Sequence, residues 1–463
     1  GGPRHVGARD GGPARAAAAI SKESWLARVK QVKEMMLKTR MQEITLKDGS
    51  KVTAPWQFRN CAMGGRHTEK EYPESNISMQ ESMFMPLSAK TYEDAQEMTV
   101  KLQYRLKEII ESAPGAKVMG VGSEGGIATY IDKEPQDRVP EQRMWRMMKQ
   151  AILDCEYVPG VDVAIALDPA ASELENAYRE ETGQKDSVGM YRFWRDKVKV
   201  DMSRDEILDL YKKAMEDGIP VLSIEDGFGE MDHAGWRLLM LGDKERKIEG
   251  IGDKIFVIGD DLVTTKDENI ENCAKNGEIN AALIKANQIG TLSETVLAML
   301  TALAYGAELV VSHRSKSPND PFEAEISTAM NTLGMKAGGG ANTERLQKYG
   351  RVMEIIALRH ERHLPGLGVE IRSERFALRQ DGRPRRLVRM FRARGGVDRV
   401  KLLQPVVGRI REQQPLTLQE ALGLARMVGQ EVHRARALRV HFVYVTPARP
   451  HGQVNDLAAQ NLC

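Results

Sequence analysis

The chain has 463 residues, with 67 Lys and Arg against 65 Asp and Glu, so its formal charge is only +2. That length allows two or three domains around a large core, and the near balance of charge argues against nucleic-acid binding by the chain as a whole. Four scattered cysteines (Cys61, Cys155, Cys273 and Cys463) form no C-x-x-C pair and suggest a reduced cytoplasm, while no apolar run nears the roughly 20 residues that span a bilayer and no secretory signal opens the chain.

In chain order, residues 1–19 are rich in Gly, Ala, Arg and Pro without a period, and are read as a disordered or foreign leader. Residues 20–55 are expected to hold a helix over Lys22–Met41 and a hairpin over Ile44–Val52, turning at Asp48-Gly49. Thr91 with Asp94 is a capping-box signal. It precedes an apolar stripe of Ala95, Met98, Leu102, Leu106 and Ile109. Ser203 with Glu206 and Thr291 with Glu294 repeat the signal.

Between the helical patterns lie strand-length apolar runs at Val118–Val121, Val161–Leu167, Val221–Ile224, Ile255–Ile258, Ala281–Ile284 and Glu308–Ser312. Runs apolar on both faces suit buried parallel strands, and repeated strand–helix units predict a β/α barrel within the α/β class. An open doubly wound sheet is the alternative, and no G-x-G-x-x-G supports it. After Lys348 lysine almost vanishes and arginine becomes dense, as at Arg383, Arg385, Arg386, Arg389, Arg392 and Arg394. Residues 358–463 are therefore expected to be a separate extension. It is either non-native sequence or a basic segment for RNA or an acidic surface. Within it Thr417–Val432 has the pattern of a helix.

Polar residues follow the apolar runs: Glu124, Asp168, Glu225 with Asp226, Asp260 with Asp261, Lys285, and His313-Arg314-Ser315. In a parallel barrel the C-terminal strand ends share one mouth, so these residues are expected to meet. Asp168, Glu225 and Asp260 are three hard oxygen donors suited to Mg2+. A lysine near a cation has its pKa lowered, which would let Lys285 act as a general base. A cation would also stabilise the enediolate formed when a proton leaves the carbon beside a carboxylate.

These residues sit in recognisable stretches. They are N-C-A-M-G-G-R-H at 60–67, M-Q-E at 79–81, G-S-E-G-G at 122–126, L-D-P-A-A-S-E at 167–173 and S-I-E-D at 223–226. G-D-D-L at 259–262, K-A-N-Q-I-G at 285–290, S-H-R-S at 312–315 and K-A-G-G-G-A-N-T-E-R-L at 336–346 complete the set. From about Trp56 to Ile356 the chain resembles the enolase family. The resemblance implies an enolase-type β/α barrel over 56–357 and magnesium-dependent conversion of 2-phosphoglycerate to phosphoenolpyruvate. It implies Asp168, Glu225 and Asp260 as metal ligands, Lys285 as base, and Glu124 assisted by Glu81 on the acid side. It further implies Lys336 at the substrate carboxylate, Arg314 and Ser315 at the phosphate, and His67 and His313 as active-site histidines, with His67 on a mobile loop. Gln80 is expected to touch substrate. The family forms dimers or larger rings with much of the contact in the N-terminal domain, so a homo-oligomer is one reading of the assembly and the short N-terminal piece leaves it open.

The sequence also departs from the family. Only about 35 residues, Ile20–Pro55, stand ahead of the barrel, where the family carries an α+β domain with a serine-bearing lid loop. Impaired lid closure, second-metal binding and activity are the expectation. Ser123 stands where the family has Asp, Gly227 replaces Pro, and the loop Lys316–Asp320 differs. Another dehydratase or lyase of the wider superfamily, or a non-catalytic barrel scaffold, are the competing readings.

Overall fold

Eight buried runs pair edge to edge until the last meets the first. They are β1 (Trp56–Met63), β2 (Glu81–Pro86), β3 (Val163–Asp168), β4 (Val221–Glu225), β5 (Phe256–Gly259), β6 (Ala281–Ile284), β7 (Glu308–Ser312) and β8 (Gly334–Lys336). The computed structural model describes residues 22–39, 41–46, 48–314, 320–340 and 343–361. The leader 1–19, Ser315, the loop that follows it, the Arg-rich extension beyond 361 and its expected helix lie outside the described residues. β2 is antiparallel to both β1 and β3. From β3 onward neighbours are parallel, and β8 pairs parallel to β1 at Gly334↔Trp56, Met335↔Gln57 and Lys336↔Phe58, closing the barrel. The expected α/β barrel is present.

Three of these strands are not among the apolar runs, and each has a physical reason. β1 carries Gln57, Arg59 and Asn60, all buried. The Gln57 amide donates to the Tyr92 carbonyl and accepts from Gln96, and the Arg59 guanidinium stacks 4.0 Å from the Tyr349 ring centroid, so β1 is polar toward its covering helices. β2 opens on a carboxylate, Glu81, and β8 is only three residues long.

Conversely, the run Val118–Val121 is not a barrel strand. It belongs to Ala116–Val121, which is only partly buried and pairs antiparallel with Ile127–Ile131. That hairpin leans on the barrel where Ile127 and Ala128 pair with Ala62 and Met63. A run that is apolar but only half-covered looks the same in sequence as a buried strand. The Val161 start is also corrected: β3 begins at Val163, and Val161 is exposed.

The helices follow their caps. Tyr92–Ser112 begins at Thr91, whose hydroxyl accepts from the Asp94 amide while Asp94 accepts from the Thr91 amide. Its buried stripe ends on Ile110, with Ile109 only half-buried. Ser203 and Thr291 cap Arg204–Glu216 and Leu292–Ala304 as expected. At the N-terminus the helix runs Lys22–Thr39 and the hairpin pairs Gln42–Thr45 with Lys51–Ala54 through Gly49, whose φ is +85°. This piece is part of the barrel's packing. Val29 and Met36 join the main core, and the Lys33 ammonium donates to the carbonyls of Gly252 (2.6 Å) and Ile255 (2.7 Å) just before β5.

Candidate active site

The mouth of the barrel collects the residues that end the strands. Asp168 and Glu225 are the last residues of β3 and β4, and Lys336 is the last of β8. Asp260, Lys285 and His313 directly follow β5, β6 and β7. Because β2 runs the other way, its first residue lies at the same mouth: Glu81 is in register with Met63 of β1 and Asp168 of β3. Glu124 arrives from the turn of the leaning hairpin, and His67 from the short helix Gly65–Glu69. Except for Glu225, these polar residues join Gln80 and Arg314 in lining a cleft of about 210 Å³ open to solvent. Glu225 lies just beneath it, joined to the cleft through Lys336. Of the expected site residues, Ser315 alone falls outside the described residues.

Lys336 is the hub. Its buried ammonium lies 2.6 Å from Asp168 Oδ2, 2.8 Å from Glu225 Oε1 and 2.9 Å from Glu81 Oε2. Burial opposes its charge, but Asp168, Glu225 and Glu81 outweigh burial and hold its pKa well above the usual lysine value. Gln80 Nε2 reaches Asp168 Oδ2 at 3.4 Å.

Lys285 pairs with Asp260. Burial lowers the Lys285 pKa, as expected of a desolvated lysine, yet Asp260 and Glu225 raise it more, so among the protein's own groups it is raised.

On the facing wall Glu81 and Glu124 form a pair. Burial raises Glu81 well above the usual carboxylate range despite the Lys336 charge, and Glu124 raises it further. Burial pushes Glu124 up too, but hydrogen bonding from Glu81 and His313 outweighs it and holds Glu124 low. The two carboxyls are thus pushed in opposite directions, Glu81 toward its protonated form and Glu124 toward its ionised form. His313 Nε2 lies 3.4 Å and His67 Nδ1 3.9 Å from Glu124. Burial depresses His313 to about 4, so its imidazole is neutral.

Several supporting residues carried no role in the sequence reading. Asp226 has φ +42°, a left-handed conformation that an aspartate tolerates only at some strain, and its two oxygens accept the amides of Asp260 and Asp261, each at 2.9 Å. It therefore fixes the loop that bears Asp260. Arg345, fully buried, donates to the Arg314 carbonyl at 3.1 Å. Glu173 accepts the Arg66 amide at 3.2 Å and is pushed by burial to about 7. Arg345 and Glu173 are marked in the sequence only by their place inside the motif stretches, whereas Asp226 also follows an apolar run. His67, expected on a mobile loop, sits in a helical turn tied by Arg66 to Glu69 and Glu180. Ser123 is exposed beside buried Glu124.

The donor set fits a hard divalent cation. Seven carboxylates line the cleft (Glu81, Glu124, Asp168, Glu173, Asp226, Asp260 and Asp261) against the cations Lys285, Lys336 and Arg314. Asp260 Oδ1 is buried without a hydrogen-bond partner. Oxygens of Asp226, Asp260 and Asp261 approach within 4.8 Å of one another, as do ligand atoms of His67, Glu81 and Glu124. Asp226 already serves two amides, and Asp168 and Glu225 are bridged by the Lys336 ammonium.

The family model for the enolase C-terminal TIM barrel domain matches residues 51–363. The chain belongs to the enolase family. It is 34% identical over 303 residues to a protein named enolase from Methanopyrus kandleri, covering 65% of this chain and 62% of that relative. The chain thus spans less than two thirds of this enolase's length. Among the described residues no helix is long and apolar enough to cross a membrane.

Proposed function

We propose that this enolase-family barrel catalyses the magnesium-dependent dehydration of 2-phosphoglycerate to phosphoenolpyruvate. One observation carries the reading: a lysine, Lys285, faces the adjacent carboxyls of Glu81 and Glu124 across the cleft. Lys285 follows β6 and Glu81 opens β2, four strands apart in a ring of eight, and hence on opposite walls. A substrate between them would lose its α-proton to Lys285 from one face. Its hydroxyl would leave from the other, protonated from the Glu81–Glu124 pair. The product would be the alkene of an anti elimination.

Lys336, buried among acids, supplies a fixed positive charge for the substrate carboxylate. Arg314 at the rim offers a guanidinium fork for the phosphate, with Ser315 next to it in sequence. His313, kept neutral by burial, borders Glu124, where the hydroxyl would depart, and His67 lies on the same side. Asp168, Glu225 and Asp260 would hold Mg2+. When bound, it would offset the negative charge that keeps Lys285 protonated and neutralise the charge growing on the substrate carboxylate.

Ultraviolet absorbance of phosphoenolpyruvate, formed from 2-phosphoglycerate with and without Mg2+, tests this. Turnover that needs Mg2+ and falls at least about a thousandfold in Lys285→Ala is the expected outcome. A folded, magnesium-binding protein with no turnover would overturn the proposal.

A further inference from the structure

Glu141 lies outside the cleft, yet its carboxylate is buried at 1% exposure. It belongs to the first turn of the helix Pro140–Asp154, where an acidic side chain is favoured by the free amides of the helix start. Instead of facing solvent, it reaches across to residues 75–79, the extended strap that leads into β2. Glu141 Oε1 accepts the Ser78 amide at 2.6 Å and the Met79 amide at 3.2 Å. Buried amides need acceptors, and the helix supplies one oxygen for two of them. Its other oxygen, Oε2, is buried without a hydrogen-bond partner.

The strap is tied to the site at both edges. The Gly64 amide donates to the Gln80 carbonyl (3.0 Å) and the Gly65 amide to the Ile77 carbonyl (2.9 Å), and this turn begins the helix of His67. The fit is tight: a Cβ on Gly64 would stand 2.5 Å from the Met79 carbonyl oxygen and 2.6 Å from that of Ile77. The next two residues of the chain are Gln80 and Glu81. Whatever sets the height of Ser78 and Met79 therefore sets His67, Gln80 and Glu81.

We infer that Glu141 is a positioning residue, which holds the strap 75–79 and through it places the acid side of the cleft. This rests on the proposed dehydration. Catalytic geometry tolerates little error, since a displacement of about 1 Å can cost on the order of a hundredfold in rate. A strap freed from Glu141 would loosen Glu81 and His67 while leaving Lys285, Asp168, Glu225 and Asp260 on their strands.

The test joins two readouts on the full chain: backbone hydrogen exchange, and kcat and KM for 2-phosphoglycerate. In Glu141→Ala, exchange over 75–81 should speed at least tenfold with the other barrel strands unchanged. The kcat should fall roughly 10- to 100-fold with KM shifted by no more than about threefold. Glu141→Gln keeps a carbonyl acceptor for the two amides and should recover to within about fivefold of the parent. Should Glu141→Ala fail to fold, Glu141→Asp, one methylene too short for the strap, is expected to show the same two effects. Unchanged exchange at Ser78 and Met79, or faster exchange with kcat intact, would overturn the inference. Absence of turnover in the parent protein would remove the dehydration reading instead, and exchange at Ser78 and Met79 would still decide whether Glu141 holds the strap.

Discussion

Lys336 shows what a single buried charge does here. Three carboxylates from β2, β3 and β4 converge on its ammonium, and without it they would face one another unscreened. Removing one partner from a buried charge cluster usually costs about 3–5 kcal/mol. Lys336→Met is therefore expected to lower the thermal midpoint sharply, as calorimetry would report, with Mg2+ recovering part of the loss. An unchanged midpoint would mean that the three acids are held apart by the fold alone. His313 gives a pH signature. Burial holds its folded pKa near 4, below its ordinary 6.5, so folding favours the neutral ring. Its contribution is complete above pH 6.5 and is lost as the pH falls toward 4, on the order of 3 kcal/mol in all. His313→Gln, neutral throughout, should flatten the acid side of a denaturant-midpoint profile over that interval. Most of the candidate site was legible at this scale because polar residues ended apolar runs. Glu141, and the hold of Asp226 on its neighbouring loop, were not, because they act on backbone amides that only the folded chain brings near.

At the scale of elements, the sequence reports burial better than it reports what an element pairs with. Five barrel strands show as apolar runs because helices and barrel interior cover both their faces. β1 escapes since Gln57 and Arg59 find partners on the Tyr92–Ser112 and Thr343–Glu361 helices, which periodicity cannot foresee. β2 escapes a rule about C-terminal strand ends because it is antiparallel, and so Glu81 needed the family resemblance to be noticed. The run Val118–Val121 reads as a barrel strand but is one arm of the leaning hairpin, and Glu124 still belongs at the mouth because the hairpin's turn lies there. Gly125 makes this possible. Its φ is +83°, and an added Cβ would lie 2.8 Å from the Gly339 Cα, a backbone atom that cannot swing aside. Gly339 in turn donates its amide to the Glu124 carbonyl at 2.7 Å. Gly125→Ala should therefore displace Glu124 and lower kcat at least about tenfold, while the barrel melts within a few degrees of the parent. Full activity in that variant would show that the 122–126 turn does not place the acid.

For the whole molecule, the barrel concentrates negative charge at one end while its overall charge is close to neutral. Parallel strands deliver their C-terminal residues to a single rim, and here that rim received more carboxylates than cations. Self-repulsion among buried acids opposes folding, so an ion that binds only the folded mouth must stabilise the protein. A ligand at a hundred times its dissociation constant contributes about 2.7 kcal/mol. For a domain of this size that shift corresponds to roughly 4 °C in the thermal midpoint. Mg2+ is expected to produce such a rise, while Na+ at matched ionic strength should not, because screening by monovalent salt is weak inside a closed rim. Asp168→Asn should abolish most of the Mg2+ response, since Asp168 is shared by Lys336 and the candidate metal site. The measurement needs no substrate. It therefore separates the cation site from the chemistry, and an equal response to Na+ would place the stabilisation in general screening rather than at Asp168, Glu225 and Asp260.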